Sequence, residues 1–404
     1  MRHNANWSSG TLPISNDPAV RALRPRSASP AGPALKRFDL KFRAAAAWTT
    51  RVHVGRGLLE RLATDLAARP LADRYFIVSD RRVSSLYGGA LLRALKRAGL
   101  RADLITFPRG EAAKTRATKQ RIEDRLLALG AGRDSAILAL GGGVTGDLAG
   151  FVAATWQRGV PLIQLPTTLL AMVDAAIGGK TGINLPRGKN LVGAIHQPHA
   201  VYADIATLKT LPDAVFRDGL AEIVKGGAIA DRSLFCWLEA NVGHLLARRQ
   251  AVVTEVVERS VRVKARVVRR DERESGRRAI LNFGHTIGHA LESVSAYALS
   301  HGRAVAIGIA VEARLAVKHG DLPEFHAGRI VALLRDFGLP TTVPRKLSPA
   351  KILRATHHDK KARAGKARYA FPVALGRMRP GAGVTVAVRD EAVLDALRTC
   401  RARG

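Results

Sequence analysis

The run Ser135-Ala-Ile-Leu-Ala-Leu140, followed at once by Gly141-Gly-Gly-Val-Thr-Gly-Asp147, limits what this chain can fold into more than any other stretch. The apolar run reads as a buried β-strand. Gly141, Gly143 and Gly146 satisfy GxGxxG between that strand and the helix-like Leu148-Ala-Gly-Phe-Val-Ala-Ala154. In this context glycines let the backbone approach a pyrophosphate at a helix N-terminus. The standard Rossmann layout is not met. The motif does not open a chain-initial βαβ unit, and Gln164-Leu-Pro-Thr-Thr168 stands where an acid about 20 residues on would bind ribose.

The flanking segments alternate in the same style. Arg51-Val-His-Val54, Tyr75-Phe-Ile-Val-Ser-Asp80 and Ala102-Asp-Leu-Ile-Thr106 read as strands, and Gly57–Leu66 and Leu91–Leu95 as helical stretches between them. Strands alternating with helices imply βαβ units and a parallel sheet. After Pro212 strand signals fade. Helical spacing dominates in Leu220–Ile229, Val252–Val268, Val305–Ala316 and Ala392–Leu397. The expected plan is a disordered basic extension over 1–37, an α/β nucleotide-binding domain with a parallel sheet over 38–212, and an all-α domain over 213–404.

Composition removes several function classes. The 404 residues carry a net charge of +32, yet aromatics are sparse and the cations are scattered. No zinc-knuckle, RNP or basic-zipper pattern is present, so specific nucleic-acid binding is not expected. A basic surface that steers a small anionic metabolite fits better. No apolar run approaches the roughly 20 residues of a membrane span. Residues 1–37 lack the apolar core of a secretory signal. Two cysteines, Cys236 and Cys400, are too few for a disulfide framework or a thiolate metal site, and suit the cytoplasm.

Arg277–Glu292 holds the densest chemistry. His285 and His289 stand one helical turn apart with Glu292 on the same face, and His301 follows. Imidazole is the commonest protein metal ligand and also a proton carrier near neutral pH, and by spacing alone His285 would pair with His289 as ligands. Gly178-Gly-Lys-Thr181 looks like half a P-loop, but Asp174 occupies the place of its first glycine, which excludes a Walker A site. Only 16 of the 65 cations are lysine, so lysines in motif-rich surroundings stand out: Lys180, Lys189, Lys225, Lys264 and the pair Lys360-Lys361. A lysine is a compact cation suited to phosphate and carboxylate groups.

Five long motifs in order make the chain resemble the 3-dehydroquinate synthase family of sugar-phosphate cyclases, most closely over 139–310. They are GGGVTGDLAGFVAAT, LPTTLLAMVD, GGKTGIN, AEIVKGG and LNFGHTIGHALE. The resemblance implies a phosphorus-oxygen lyase that forms 3-dehydroquinate from 3-deoxy-D-arabino-heptulosonate 7-phosphate. The route is transient NAD-dependent oxidation, phosphate elimination, reduction and intramolecular aldol closure. It implies one divalent metal, zinc or alternatively cobalt, on Glu222, His285 and His301, with His289 left near the substrate phosphate. NAD is implied at Glu111, Lys114, Gly142, Gly143, Val144, Thr145, Gly146, Asp147, Thr167, Thr168, Lys180, Lys189, Thr207 and Thr210. Substrate contacts are implied from Arg158, Asp174, Lys180, Asn190, Lys225, Lys264, Arg278, Asn282, His289 and one of Lys360 or Lys361. The resemblance also implies a homodimer. One position departs from the family pattern: Arg303 stands where an acid is expected. Two rivals share parts of this apparatus, a paralogous cyclase acting on another sugar phosphate and a metal-dependent alcohol dehydrogenase. The first alters the carboxylate-binding positions, whereas Lys264, Arg278 and Asn282 are all present here.

Overall fold

The first half of the chain alternates as its hydrophobic pattern demands. Strands β1 (Arg51–Gly55), β2 (Arg74–Asp80), β3 (Arg101–Phe107), β4 (Ser135–Gly141), β5 (Leu162–Pro166) and β8 (Ala200–Asp204) form one six-stranded sheet. Its order is β1-β8-β5-β4-β2-β3, and every pairing is parallel. These features come from a computed structural model that describes residues 48–402 except 187, 273, 275, 358–366 and 381–383. The extension over 1–37 and the Lys360-Lys361 pair lie outside the described residues.

The strands read from sequence are β1 to β4. β5 and β8 escaped that reading: β5 runs into the LPTTLLAMVD motif, and β8 shows no alternation of its own because it is buried throughout. β4 is buried along its whole length because helices cover both faces of the sheet. Phe76, Val78, Ile137 and Ala139 face one apolar cluster, while Tyr75, Ile77, Leu138 and Leu140 face another. That is the two-residue alternation of a strand. Two more strands, β6 (Lys180–Leu185) and β7 (Gly188–Ile195), make a separate antiparallel hairpin that periodicity did not predict.

β2 and β4 are neighbours whose connections run to opposite sides of the sheet. A crevice opens at the carboxyl ends of strands at such a switch point. β4 delivers the glycine turn there, and helix Gly143–Thr155 starts from it. Gly146 is needed for this close packing: a Cβ on it would stand 2.8 Å from Gln164 Oε1. Gln164 is buried and its Nε2 donates to the Gly146 carbonyl at 3.1 Å. Gly146→Ala is therefore expected to destabilise the fold by about 1–3 kcal/mol through overpacking. A thermal melt within error of the wild type would contradict this.

From Asp213 onward helices take over: Asp213–Ala230, Gln250–Arg270, His285–Val294 and His301–Lys318 carry most of the chemistry-bearing residues. Their core is continuous with one edge of the sheet, joining Leu220, Ile287 and Ile307 to Val201 and Ala203 of β8. The second half is not wholly helical. Arg368–Ala370 pairs with Thr385–Ala387, and Pro372–Ala374 with Arg377–Met378, in two small antiparallel ribbons. Two- and three-residue strands are too short to show an alternation in sequence.

Candidate active site

A cleft of about 1220 Å³ runs from the carboxyl ends of β2 and β4 to the first turns of the His285 and His301 helices. The sheet lines it with Asp80, Gly142, Gly143, Val144, Thr145 and Asp147, and the helical half with Lys225, Lys264, Arg278, His285, His289 and His301. Glu222 lies behind the wall, in a small adjoining void shared with Asp174, Lys225 and Lys264.

Glu222 and Lys225 sit one turn apart on helix Asp213–Ala230, both buried and ion-paired. His285 and His301 are each the first residue of a helix. Their Nε2 atoms lie 3.3 and 3.4 Å from one oxygen, Glu222 Oε1. One ligand atom from each of the three residues falls within 4.8 Å of the others. Neither oxygen of this buried carboxylate has a hydrogen bond of acceptable geometry. A carboxylate and two imidazoles converging in this way could supply three protein ligands to a divalent metal.

The outer contacts fit that reading. His285 Nδ1 lies 3.3 Å from the Phe283 carbonyl, and a proton donated there would leave the Nε2 lone pair for a metal. His301 Nδ1 lies 3.5 Å from Glu292 Oε2, and Glu292 Oε1 accepts Lys189 at 2.9 Å. His289, Glu292 and His301 make a second convergent group. In that group the carboxylate is already held by the Lys189 ammonium.

The cluster is strongly polarised. Burial alone would raise Glu222, but the Lys225 ammonium and the two imidazoles hold it well below the usual carboxylate range. Burial alone would lower His301, but Glu222 and Glu292 outweigh it and push its pKa from 6.5 up to about 10. A group raised in this way stabilises the fold fully below 6.5 and loses that contribution as pH rises through about 10. Metal-free protein is thus expected to melt at falling temperature between those pH values, and His301→Asn to flatten the slope. Melts in chelator at stepped pH test this; parallel profiles for the two proteins would refute it.

Cations crowd the middle of the cleft. Lys264 lies 2.7 Å from Asp174 Oδ1; burial pulls its pKa down while that carboxylate opposes the shift. Lys180 is ion-paired with Glu274, to which Asn282 Nδ2 donates at 3.3 Å. Arg278 is almost wholly buried and donates to the Glu272 carbonyl at 2.5 Å and the Gly178 carbonyl at 3.3 Å. Its Nε has no hydrogen-bond partner.

On the sheet side, helix Gly143–Thr155 has Gly142 as N-cap and no side-chain cap, so its first amides are left for an anion. Lys114 is ion-paired with Asp147 and bonded to Asn190, which ties the Glu111 turn to the β6–β7 hairpin. Asn184 Nδ2 donates to Glu111 Oε1 at 2.7 Å across the same junction. Glu111, Thr167, Thr168, Lys189, Asn190 and Thr210 also line the cleft.

Four of the described residues in the expected set do not line it: Glu222, which lies behind the wall, and three others. Gly146 is covered by Gln164, and Thr207 is buried with its carbonyl accepting the Tyr87 hydroxyl at 3.0 Å. Arg158 is exposed on a turn past the far end of helix Gly143–Thr155. That helix spans about 20 Å at 1.5 Å per residue, so Arg158 does not reach the cleft that its first turn faces. The departing Arg303 is exposed and outside the cleft. Conversely, Asp80, Arg109, Glu274 and Tyr297 line the cleft without having been singled out. Asp80 had a readable signal, an acid at the carboxyl end of a buried strand. Tyr297, whose ring lies 4.3 Å from Lys189 Nζ, had none.

A parallel sheet with a glycine turn at its switch point, joined to helices on which a carboxylate and two histidines converge, is the plan of a nucleotide-fold enzyme whose helical half could hold a metal. Two family models resolve the class further: 3-dehydroquinate synthase N-terminal matches residues 104–218, and 3-dehydroquinate synthase C-terminal matches 219–362. The chain belongs to the 3-dehydroquinate synthase family. It is similar to a 3-dehydroquinate synthase of Desulforamulus reducens, with 45% identity covering 81% of this chain and 91% of the relative. A solved 2-epi-5-epi-valiolone synthase from Streptomyces hygroscopicus subsp. jinggangensis, with NAD+ and Zn2+ bound, is 29% identical. It aligns at TM-score 0.80 over 89% of this chain and 99% of its own. A 2-deoxy-scyllo-inosose synthase complexed with carbaglucose-6-phosphate, NAD+ and Co2+ aligns at TM-score 0.77, with 27% identity over 86% of this chain and 96% of its own.

Proposed function

We propose that this chain is a 3-dehydroquinate synthase, releasing phosphate from 3-deoxy-D-arabino-heptulosonate 7-phosphate as it closes the carbocycle. The observation that carries the reading is the convergence on one cleft of an open helix N-terminus, of His285 and His301 with Glu222 just behind its wall, and of the Lys180, Lys225, Lys264 and Arg278 cations. When bound, the metal polarises a substrate hydroxyl and NAD reversibly accepts its hydride, so the cofactor is regenerated within one turnover.

The protein's own groups do the rest by binding and orientation. Gly143, Val144 and Thr145 offer backbone N–H groups to the dinucleotide phosphates, and Asp147, Glu111 and Lys114 frame the same end. Lys225 keeps Glu222 ionised as a ligand. Lys180, Lys264, Arg278 and Asn282 supply donors for a substrate bearing both a carboxylate and a phosphate. Asp174 and Asn190 stand among them as orienting acceptors. His289 lines the cleft beside the metal set, where an imidazole can carry a proton during phosphate loss.

In this reading 38–212 serves the cofactor and 213–404 the metal and most of the substrate. The last strand of the six-stranded sheet ends at Asp204 and the 18-residue helix Asp213–Ala230 follows, which supports that division. The reading also places a homodimer in the cytoplasm. Both cysteines are free thiols, and no helix among the described residues is long and apolar enough to cross a membrane.

The test follows inorganic phosphate and NADH absorbance together, with NAD+, zinc and the heptulosonate phosphate supplied. Phosphate release without net NADH is the expected result. Turnover only of sedoheptulose 7-phosphate or glucose 6-phosphate would indicate a paralogous cyclase instead. Steady NADH accumulation would make the protein a dehydrogenase and defeat the proposal.

A further inference from the structure

The two histidines of the metal set are the first residues of successive helices, so their separation depends on how those helix ends are held together. Helix His285–Val294 has Gly284 as N-cap, in left-handed backbone at φ 79°, with no side-chain cap of its own. Glu312 supplies what is missing. Its Oε2 accepts the Gly284 N–H at 2.8 Å, and its Oε1 accepts the Ile287 N–H at 3.1 Å. These are the N-cap and N3 amides that a capping box satisfies from within one helix. Here a single carboxylate from the next helix takes both, at the positive end of the helix dipole.

Glu312 is 0% exposed. It lies on helix His301–Lys318, about three turns after His301 at 3.6 residues per turn, so the two side chains leave nearly the same face. The helices also meet backbone to backbone. A Cβ on Gly308 would overlap the Gly284 carbonyl oxygen, and one on Gly288 would stand 3.2 Å from the Val305 Cα. Contacts thus run from His301 along its helix to Glu312, and from Glu312 to the amides of Gly284 and Ile287 around His285.

We infer that Glu312 is a positioning residue for the metal centre: it locks the start of the His285 helix onto the His301 helix and sets the distance between the two imidazoles before a metal arrives. It acts through His285, and touches neither metal nor substrate. The inference rests on the reading that Glu222, His285 and His301 hold the metal. A buried carboxylate with only a fold role would affect stability alone. A positioning role also appears in metal affinity and in the spectrum of the bound ion.

Glu312→Gln keeps the volume but aims an amide N–H at one of the two backbone donors. Zinc affinity, measured by competition with a chromogenic chelator, is expected to weaken roughly 10–100-fold, the usual effect of losing an outer support of a metal ligand. The visible spectrum of the cobalt-loaded variant should change, while NAD binding to the metal-free protein stays as in the wild type. An unchanged zinc Kd and cobalt spectrum would overturn the inference. So would a loss of NAD affinity in step with zinc, which signals general loosening. Should the variant not fold, hydrogen exchange on wild-type protein decides: Gly284 and Ile287 amides are expected to be protected without metal. Free exchange until zinc is added would mean that the metal, not Glu312, orders the helix end. His285→Ala checks the underlying reading separately. Retained zinc in that variant defeats the metal assignment, whereas lost zinc beside an unaffected Glu312→Gln defeats only the inference.

Discussion

His285→Ala is expected to abolish stoichiometric zinc binding and to cut phosphate release by roughly a thousand-fold or more. Removing one of three protein ligands leaves Glu222 and His301, too few to hold a divalent ion at ordinary concentrations. A Lewis acid contributes several kcal/mol of charge stabilisation, and about 4 kcal/mol corresponds to a factor of about a thousand. His289→Ala separates the two histidines of the HxxxH pair. His289 converges with Glu292 and His301 but not with Glu222, so this variant should keep its zinc while losing rate. Metal analysis and phosphate release on the two variants give the answer. Zinc retained in His285→Ala and lost in His289→Ala would reverse the assignment.

Lys264→Met is expected to cost both stability and substrate binding. It removes the cation 2.7 Å from Asp174, and both side chains are largely shielded, at 12% and 30% exposed. Breaking a buried pair by deleting one partner costs about 3–5 kcal/mol because the remaining charge is stranded. Partial exposure lowers the expected cost here to about 2–3 kcal/mol. Adding Asp174→Asn should recover part of the lost melting temperature, since the stranded carboxylate is then neutral. KM for the heptulosonate phosphate should remain raised in the double variant, because the donor is still absent. A double variant no more stable than Lys264→Met would show that the pair contributes no coupling.

How much of this was readable depended on how local each signal was. The glycine turn was legible because strand, turn and helix are contiguous, and the structure places Gly141–Asp147 where β4 meets its helix. β8 was not, because a five-residue strand at Ala200–Asp204 is defined by its pairing with β1 and β5 rather than by its own pattern. The β6–β7 hairpin was hidden in the same way, behind glycines and lysines that read as a phosphate motif. Arg158 is a different case: the resemblance placed it near substrate by its motif position, and the length of a helix sets it away from the cleft of its own chain.

From the sequence alone came the parallel α/β class, the shift to helices after Pro212 and the residue types the chemistry requires. Periodicity and motif spacing are properties of contiguous residues and need no partner. The capping of the His285 helix by Glu312 was decided only by the tertiary structure, and so was the meeting of Glu222 with His285 and His301, which the sequence had suggested only through the family resemblance. Each joins residues on separate helices, and which side chains meet there is set by backbone approaches at Gly284, Gly288 and Gly308, which spacing along the chain does not encode.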